Sequence, residues 1–222
     1  MTNPLSLNLY TYVENNPLIY TDSSGYLKYS EKEDSERWKQ SEVYVSFGFW
    51  DNVDKDARSI KKKTARLMFW EELADEVGAM IQEGVAKELF SDKIWKNLTP
   101  FARGEFLESL LAKTTYDAED WFNIGSTMGG YYPIIDFVSH YGGYVVSVKT
   151  IDPRLYSSSG LSLQLSRFVE SLTERDIFIN NKLVTFNHRI LHLIVPKGTK
   201  DDIDLKKFQD EAGDLIIRVE EF

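Results

Sequence analysis

A chain of 222 residues, 42% hydrophobic and 14% aromatic, can bury a sizeable core and suits one domain, or a domain with an appendage. It contains no cysteine, which excludes disulfides, thiolate metal sites and cysteine nucleophiles together. Its net charge of −9 argues against broad nonspecific phosphate binding, which lysine and arginine drive by releasing counterions. Any nucleic-acid chemistry must therefore rest on a local basic patch.

No run of about 18 apolar residues occurs, so no transmembrane segment is expected. The start MTNPLSLNLY lacks the basic-then-apolar order of a signal peptide. Residues 8–25 read NLYTYVENNPLIYTDSSG. This stretch closely resembles the closing segment of the Rhs/YD-repeat core, whose pattern is N-L-Y-x-Y-V-x-N-N-P-(x)3-D-P-S-G. In that family the segment ends a large secreted shell, and a variable cargo domain follows, usually a toxin. The resemblance implies that residues 1–27 close such a core and that the remainder is payload. Asp22-Ser23 stands where the family has Asp-Pro, which sets this junction apart from those Rhs proteins that cleave themselves there.

Residues 28–40, KYSEKEDSERWKQ, are dense in charge and read as a linker or an exposed helix. In 41–53 the run VYVSFGFW is strand-like. From about Ala57 to Leu89 the pattern is helical, with Trp70, Leu73, Val77, Met80, Ile81, Gly84 and Val85 recurring at three- and four-residue spacing. The Lys61-Lys62-Lys63 cluster near its start reads as a solvated helix face rather than a phosphate contact. Thr99-Pro100 is a helix start, a capping hydroxyl before a proline in the first turn, and the helix runs to about Lys113.

A loop with Gly125, Gly129 and Gly130 leads into YYPIIDFVSH, a turn at Tyr141-Gly142-Gly143, and then YVVSVKTI, together a β-hairpin. Apolar positions in 161–172 predict a helix, 188–196 a buried strand, 201–212 a short polar helix and 215–222 a final strand. The division expected is thus 1–27 end of the core, 28–98 a helical linker and 99–222 the cargo domain.

The hairpin carries Asp136 on one strand and Ser147-Val148-Lys149 on the next. Side chains alternate along a strand, so Ser147 and Lys149 share a face, and Asp136 can sit opposite them. An acid and an amine on adjacent strands, behind a helix carrying glutamate, suit phosphodiester cleavage. Carboxylates hold a divalent cation that polarises the phosphate and activates water, and the lysine orients that water or stabilises the developing charge. At about 100° per residue, Glu108 flanks the apolar stripe of Leu107 and Leu111, whereas Glu105 turns toward solvent; Glu119 is a weaker candidate. His188 and His192 fall on a predicted strand, where four residues span about 13 Å, too far for one ion. They read as packing or surface residues.

Arg103, Gly104 and Glu108 (R-G-x-x-x-E), Asp136, and Ser147 to Asp152, with the HLIVPKGT and IIRVEEF strands, carry a second resemblance over roughly 99–222. The region resembles the restriction-endonuclease-like PD-(D/E)xK nuclease toxins of contact-dependent inhibition systems. Ser-x-Lys replaces the usual acid-x-Lys and leaves one carboxylate fewer for a cation. The resemblance implies an α+β (or α/β) domain with a mixed sheet flanked by helices and preceded by a helical segment. It also implies Glu108, Asp136, Ser147 and Lys149 as catalytic residues, with Asp136 and Glu108 holding Mg²⁺ or Zn²⁺. Gln164, Arg167 and Arg154 would contact substrate.

The function expected is a secreted or surface-delivered toxin nuclease acting in the target-cell cytoplasm, with DNA the favoured substrate. It would be neutralised in the producer by a cognate immunity protein. The alternatives are a tRNA-cleaving toxin of the same fold, or a non-enzymatic tail of the shell.

Overall fold

The computed structural model describes residues 47–85, 87–127, 134–141, 143–173, 177–179 and 182–222. The Rhs-like segment, the charged linker, residues 41–46 and Gly129-Gly130 lie outside the described residues.

Helix α1 spans Phe47–Ser59 and begins with FGFW, the described end of the run that reads as strand-like. The aromatic run looks extended when taken alone. Buried Phe49, Trp50, Val53, Ala57 and Ile60 recur at helical spacing and join one core, and that longer pattern decides the outcome. Helix α2, Lys63–Gln82, is separated from α1 by a short break at which Lys62 is extended. The single helix predicted to Leu89 ends at a Schellman-type turn, in which Gly84 N–H donates to Ile81 O and Val85 N–H to Met80 O. Gly84 has φ +97°, a conformation only glycine adopts cheaply.

Helix α3 is Glu88–Asn97 and α4 is Pro100–Thr114. Thr99 caps α4 as its sequence predicts, its hydroxyl accepting from Ala102 N–H. Thr99 is itself held from α1: buried Asp54 accepts from both its N–H and its hydroxyl at 3.0 Å. Asp54→Ala strands these donors, and the expected cost is about 1–3 kcal/mol, or roughly 2–4 °C in Tm per kcal/mol. An unchanged melting temperature would contradict this bridge.

Strands β1 (Trp121–Asn123), β2 (Phe137–Ser139) and β3 (Tyr144–Thr150) form an antiparallel meander, with the one-turn helix α5 (Ile124–Thr127) following β1. Helix α6, Ser158–Thr173, and a small hairpin of β4 (Ile177–Ile179) and β5 (Lys182–Val184) then lead to β6, His188–Val195. Helix α7, Leu205–Ala212, capped by Asp204, leads to β7, Ile216–Glu221. Strands β6 and β7 run parallel to β3, and the sheet order is β1-β2-β3-β6-β7.

The architecture is α+β, a five-stranded mixed sheet with helices on both faces. Phe137, Val146, Val148, Ile194 and Phe222 pack under α1–α4. Val145, Leu191, Leu193 and Val195 pack under α6 and α7. The core therefore draws on residues from both 47–98 and 99–222. Among the described residues, no helix is long and apolar enough to cross a membrane.

Candidate active site

Asp136 lies immediately before β2 and is fixed on three sides. Its N–H donates to Val146 O at 2.8 Å, its carbonyl accepts from Ile124 N–H at 2.9 Å, and its Oδ2 accepts from Val148 N–H at 2.6 Å. Glu108, from the third turn of α4, is buried against it, and its Oε1 has no hydrogen-bond partner among the described residues. Lys149 stands half-buried near the end of β3, its ammonium donating to Val148 O at 3.1 Å.

Burial, and then the Asp136 charge, push the Glu108 carboxyl well above the ordinary range, while Lys149 opposes them. Asp136 is also raised by burial, against the pull of Lys149 and of the Val148 N–H. Two carboxyl groups share a buried site, and Lys149 is the cation that acts on both. These three residues, from a helix, a strand start and a strand end, line one cleft of ≈ 480 Å³.

The same cleft is lined by Lys63, Arg66, Phe101 and Phe168, none of which the sequence singles out as a site residue. Lys63, read as a solvated charge, stands at the start of α2, and Arg66 follows one turn later on the same helix face. That i, i+3 basic pair is the signal that could have found them. Glu105 corrects another expectation. It is buried rather than turned to solvent, with Arg66 Nε 2.9 Å from both its oxygens and Trp70 Nε1 donating at 2.9 Å. Helix α4 is covered by α2 as well as by the sheet, so its polar residues are buried too.

Ser147 is not brought to the cleft. It is buried, its hydroxyl has no hydrogen-bond partner among the described residues, and it follows Val145 on the side covered by α6 and α7. Arg154 forms a two-point ion pair with Asp152 at 2.8 Å and lines a separate cavity of ≈ 530 Å³ with Tyr156, Lys207 and Phe208. Gln164 is half-buried and Arg167 exposed on α6, and neither lines the cleft, whereas the adjacent Phe168 does. Arg103 packs over Trp95, its Cζ 4.1 Å from the ring centroid, and burial lowers its pKa to about 10. Glu119 is exposed outside the cleft.

The histidines on β6 do not form a pair. His188 stacks on Tyr144. His192 is fully buried, with Nδ1 3.0 Å from the Tyr116 hydroxyl and Nε2 3.2 Å from Glu220 Oε2. His192, with Lys87 also in contact, holds the Glu220 carboxyl down at about 2, against the opposing effect of burial. A carboxyl depressed on folding contributes stability that is full above about 4.5 and is lost as pH falls toward about 2. Glu220→Gln should therefore flatten the fall in Tm between pH 5 and pH 2.5 (about the window set by that shift). An acid limb as steep as wild type would contradict this assignment.

No family model matches the chain, and neither a curated protein nor a solved structure is significantly similar to it. Among the described residues, no group of three or more histidine, aspartate or glutamate side chains could hold a metal. Glu108 and Asp136 supply two adjacent carboxylates, one with an unpartnered oxygen. That donor set suits Mg²⁺, which takes one or two carboxylates plus waters and substrate phosphate. Among the described residues it lacks the third protein ligand that catalytic Zn²⁺ sites use.

Proposed function

We propose that this chain is a nuclease that hydrolyses phosphodiester bonds, the restriction-endonuclease-like payload of an Rhs-type toxin, with DNA its favoured substrate and a cognate immunity protein its natural inhibitor. One observation carries the reading: Glu108, Asp136 and Lys149 meet in a single cleft. The mixed sheet with helices on both faces supports it.

Glu108 and Asp136 would hold a divalent cation, whose charge would offset the mutual repulsion of the two buried carboxylates. When bound, the ion supplies Lewis-acid polarisation of the phosphate and activation of water. Lys149 donates hydrogen bonds to a nonbridging phosphate oxygen and stabilises the charge that builds there. Asp136 keeps its orientation through the Val148 N–H, and the apolar walls of Val148 and Phe168 limit bulk water. The water oxygen bonds to phosphorus as the P–O ester bond breaks; the water gives up one proton to solvent and the leaving oxygen takes one up from solvent.

Expression of the full chain in bacterial cytoplasm tests the reading. Growth should stop with loss of intact DNA or tRNA. Normal growth at a verified level of folded protein would overturn it in favour of a non-enzymatic tail of the shell.

A further inference from the structure

The cleft has an unusual rim. Phe101, the second residue of α4, leaves 62% of its surface exposed while lining the cleft that holds the carboxylates. This large apolar ring belongs to neither hydrophobic core. It is nevertheless supported. The Arg66 guanidinium lies over the ring with Cζ 5.1 Å from its centroid, a cation–π distance. Glu105 grips that guanidinium through both oxygens, and Trp70 grips Glu105 in turn. Two buried side chains, Glu105 and Trp70, thus hold a guanidinium–ring stack in place, with much of the ring open to solvent.

Glu105 offsets the charge of Arg66, which therefore serves to brace the ring. The exposed cation lining this part of the cleft is Lys63, one turn earlier on α2. An aromatic face, a lysine beside it and a recessed reactive centre together describe a nucleotide subsite. Bases stack on aromatic faces whatever their sequence, and a base is free to do so only when it is unpaired.

The depth of the centre favours the same substrate. Glu108 and Asp136 are 6% and 5% exposed at the floor of the cleft. A cavity of ≈ 480 Å³ falls in the range that holds one small-molecule-sized unit, about 300–1,000 Å³. A flexible strand can lower one phosphate into such a site, whereas paired bases on a stiff duplex resist being drawn in. The net charge of −9 also leaves little for long backbone tracking, so local stacking has to supply binding.

We infer that Phe101, braced by Arg66 and flanked by Lys63, is the base-stacking platform of the cleft, and that the enzyme takes an unpaired strand of DNA or RNA in preference to a duplex. This rests on the nuclease reading above. The test uses end-labelled 20-nucleotide DNA and RNA strands and the matching DNA duplex, in Mg²⁺. Wild type should cut a single strand with higher kcat/KM than the duplex, and whether DNA, RNA or both are cut identifies the source of the strand.

Phe101→Ala should lower single-strand kcat/KM about 5- to 150-fold, the equivalent of one lost base stack, mostly through KM, and Phe101→Trp should restore it. A strand carrying 2-aminopurine gives a readout without turnover: its fluorescence should be quenched on binding to Lys149→Ala protein, and not when Phe101→Ala is added. Preference for the duplex, or wild-type kcat/KM and quenching in Phe101→Ala, overturns the platform while leaving the nuclease standing. Failure to cut any of the three substrates overturns the nuclease reading, and the platform with it.

Discussion

Lys149→Ala protein is expected to fold and to lose phosphodiester cleavage by at least about a hundred- to a thousandfold, the usual cost of removing one donor aimed at transition-state charge. Lys149 provides the cation beside Glu108 and Asp136 and is named in the electrostatics of both. It is half-exposed near the end of β3, so little packing is lost with it. Melting temperature and kcat should separate cleanly: the first within a few degrees of wild type, the second near background. A folded Lys149→Ala variant that arrests bacterial growth as wild type does would remove the mechanism proposed here.

Asp136→Asn should be equally severe and for a different reason. Asparagine can still accept from the Val148 N–H, so the β2–β3 corner keeps its shape. The lost charge is what a hard cation requires, and cleavage should fall by orders of magnitude. The variant should also cease to respond to Mg²⁺, whereas Lys149→Ala should still bind the ion. Calorimetric titration with Mg²⁺ separates the two. If a chelator leaves wild-type cleavage intact, Asp136 acts instead as a general base or an orienting group.

The sequence was most legible where signals were local. Thr99-Pro100 announces α4 because a hydroxyl cap and a proline each satisfy or remove an orphan donor. The apolar runs of β3 and β6 give their strands directly, as parallel central strands buried on both faces should. Glu108, Asp136 and Lys149 could be selected because each requirement of the chemistry names a residue type, and the hairpin places two of the three.

What failed was decided by contacts distant in sequence. The FGFW run reads as a strand until Val53 and Ala57 are seen to share the buried side of Phe49 and Trp50. Glu105 looks solvated on a helical wheel, because the wheel does not contain α2 with Arg66 and Trp70. Ser147 has the spacing of a site residue, yet it is enclosed beneath the sheet face covered by α6 and α7. Lys63 is the converse: an exposed lysine in a run of three, which only the packing of α2 beside α4 turns toward chemistry.

The most direct test of the Glu108–Asp136–Lys149 centre is a cleavage assay with purified full-length protein on plasmid DNA and total tRNA, with Mg²⁺, Mn²⁺, Zn²⁺ or chelator. Wild type is run beside Glu108→Gln, Asp136→Asn and Lys149→Ala, each shown to be folded by its melting curve. The prediction is cutting by wild type in Mg²⁺, none in chelator, and near-background rates in all three variants. Intact substrates under every wild-type condition, or wild-type rates in the folded variants, would contradict it.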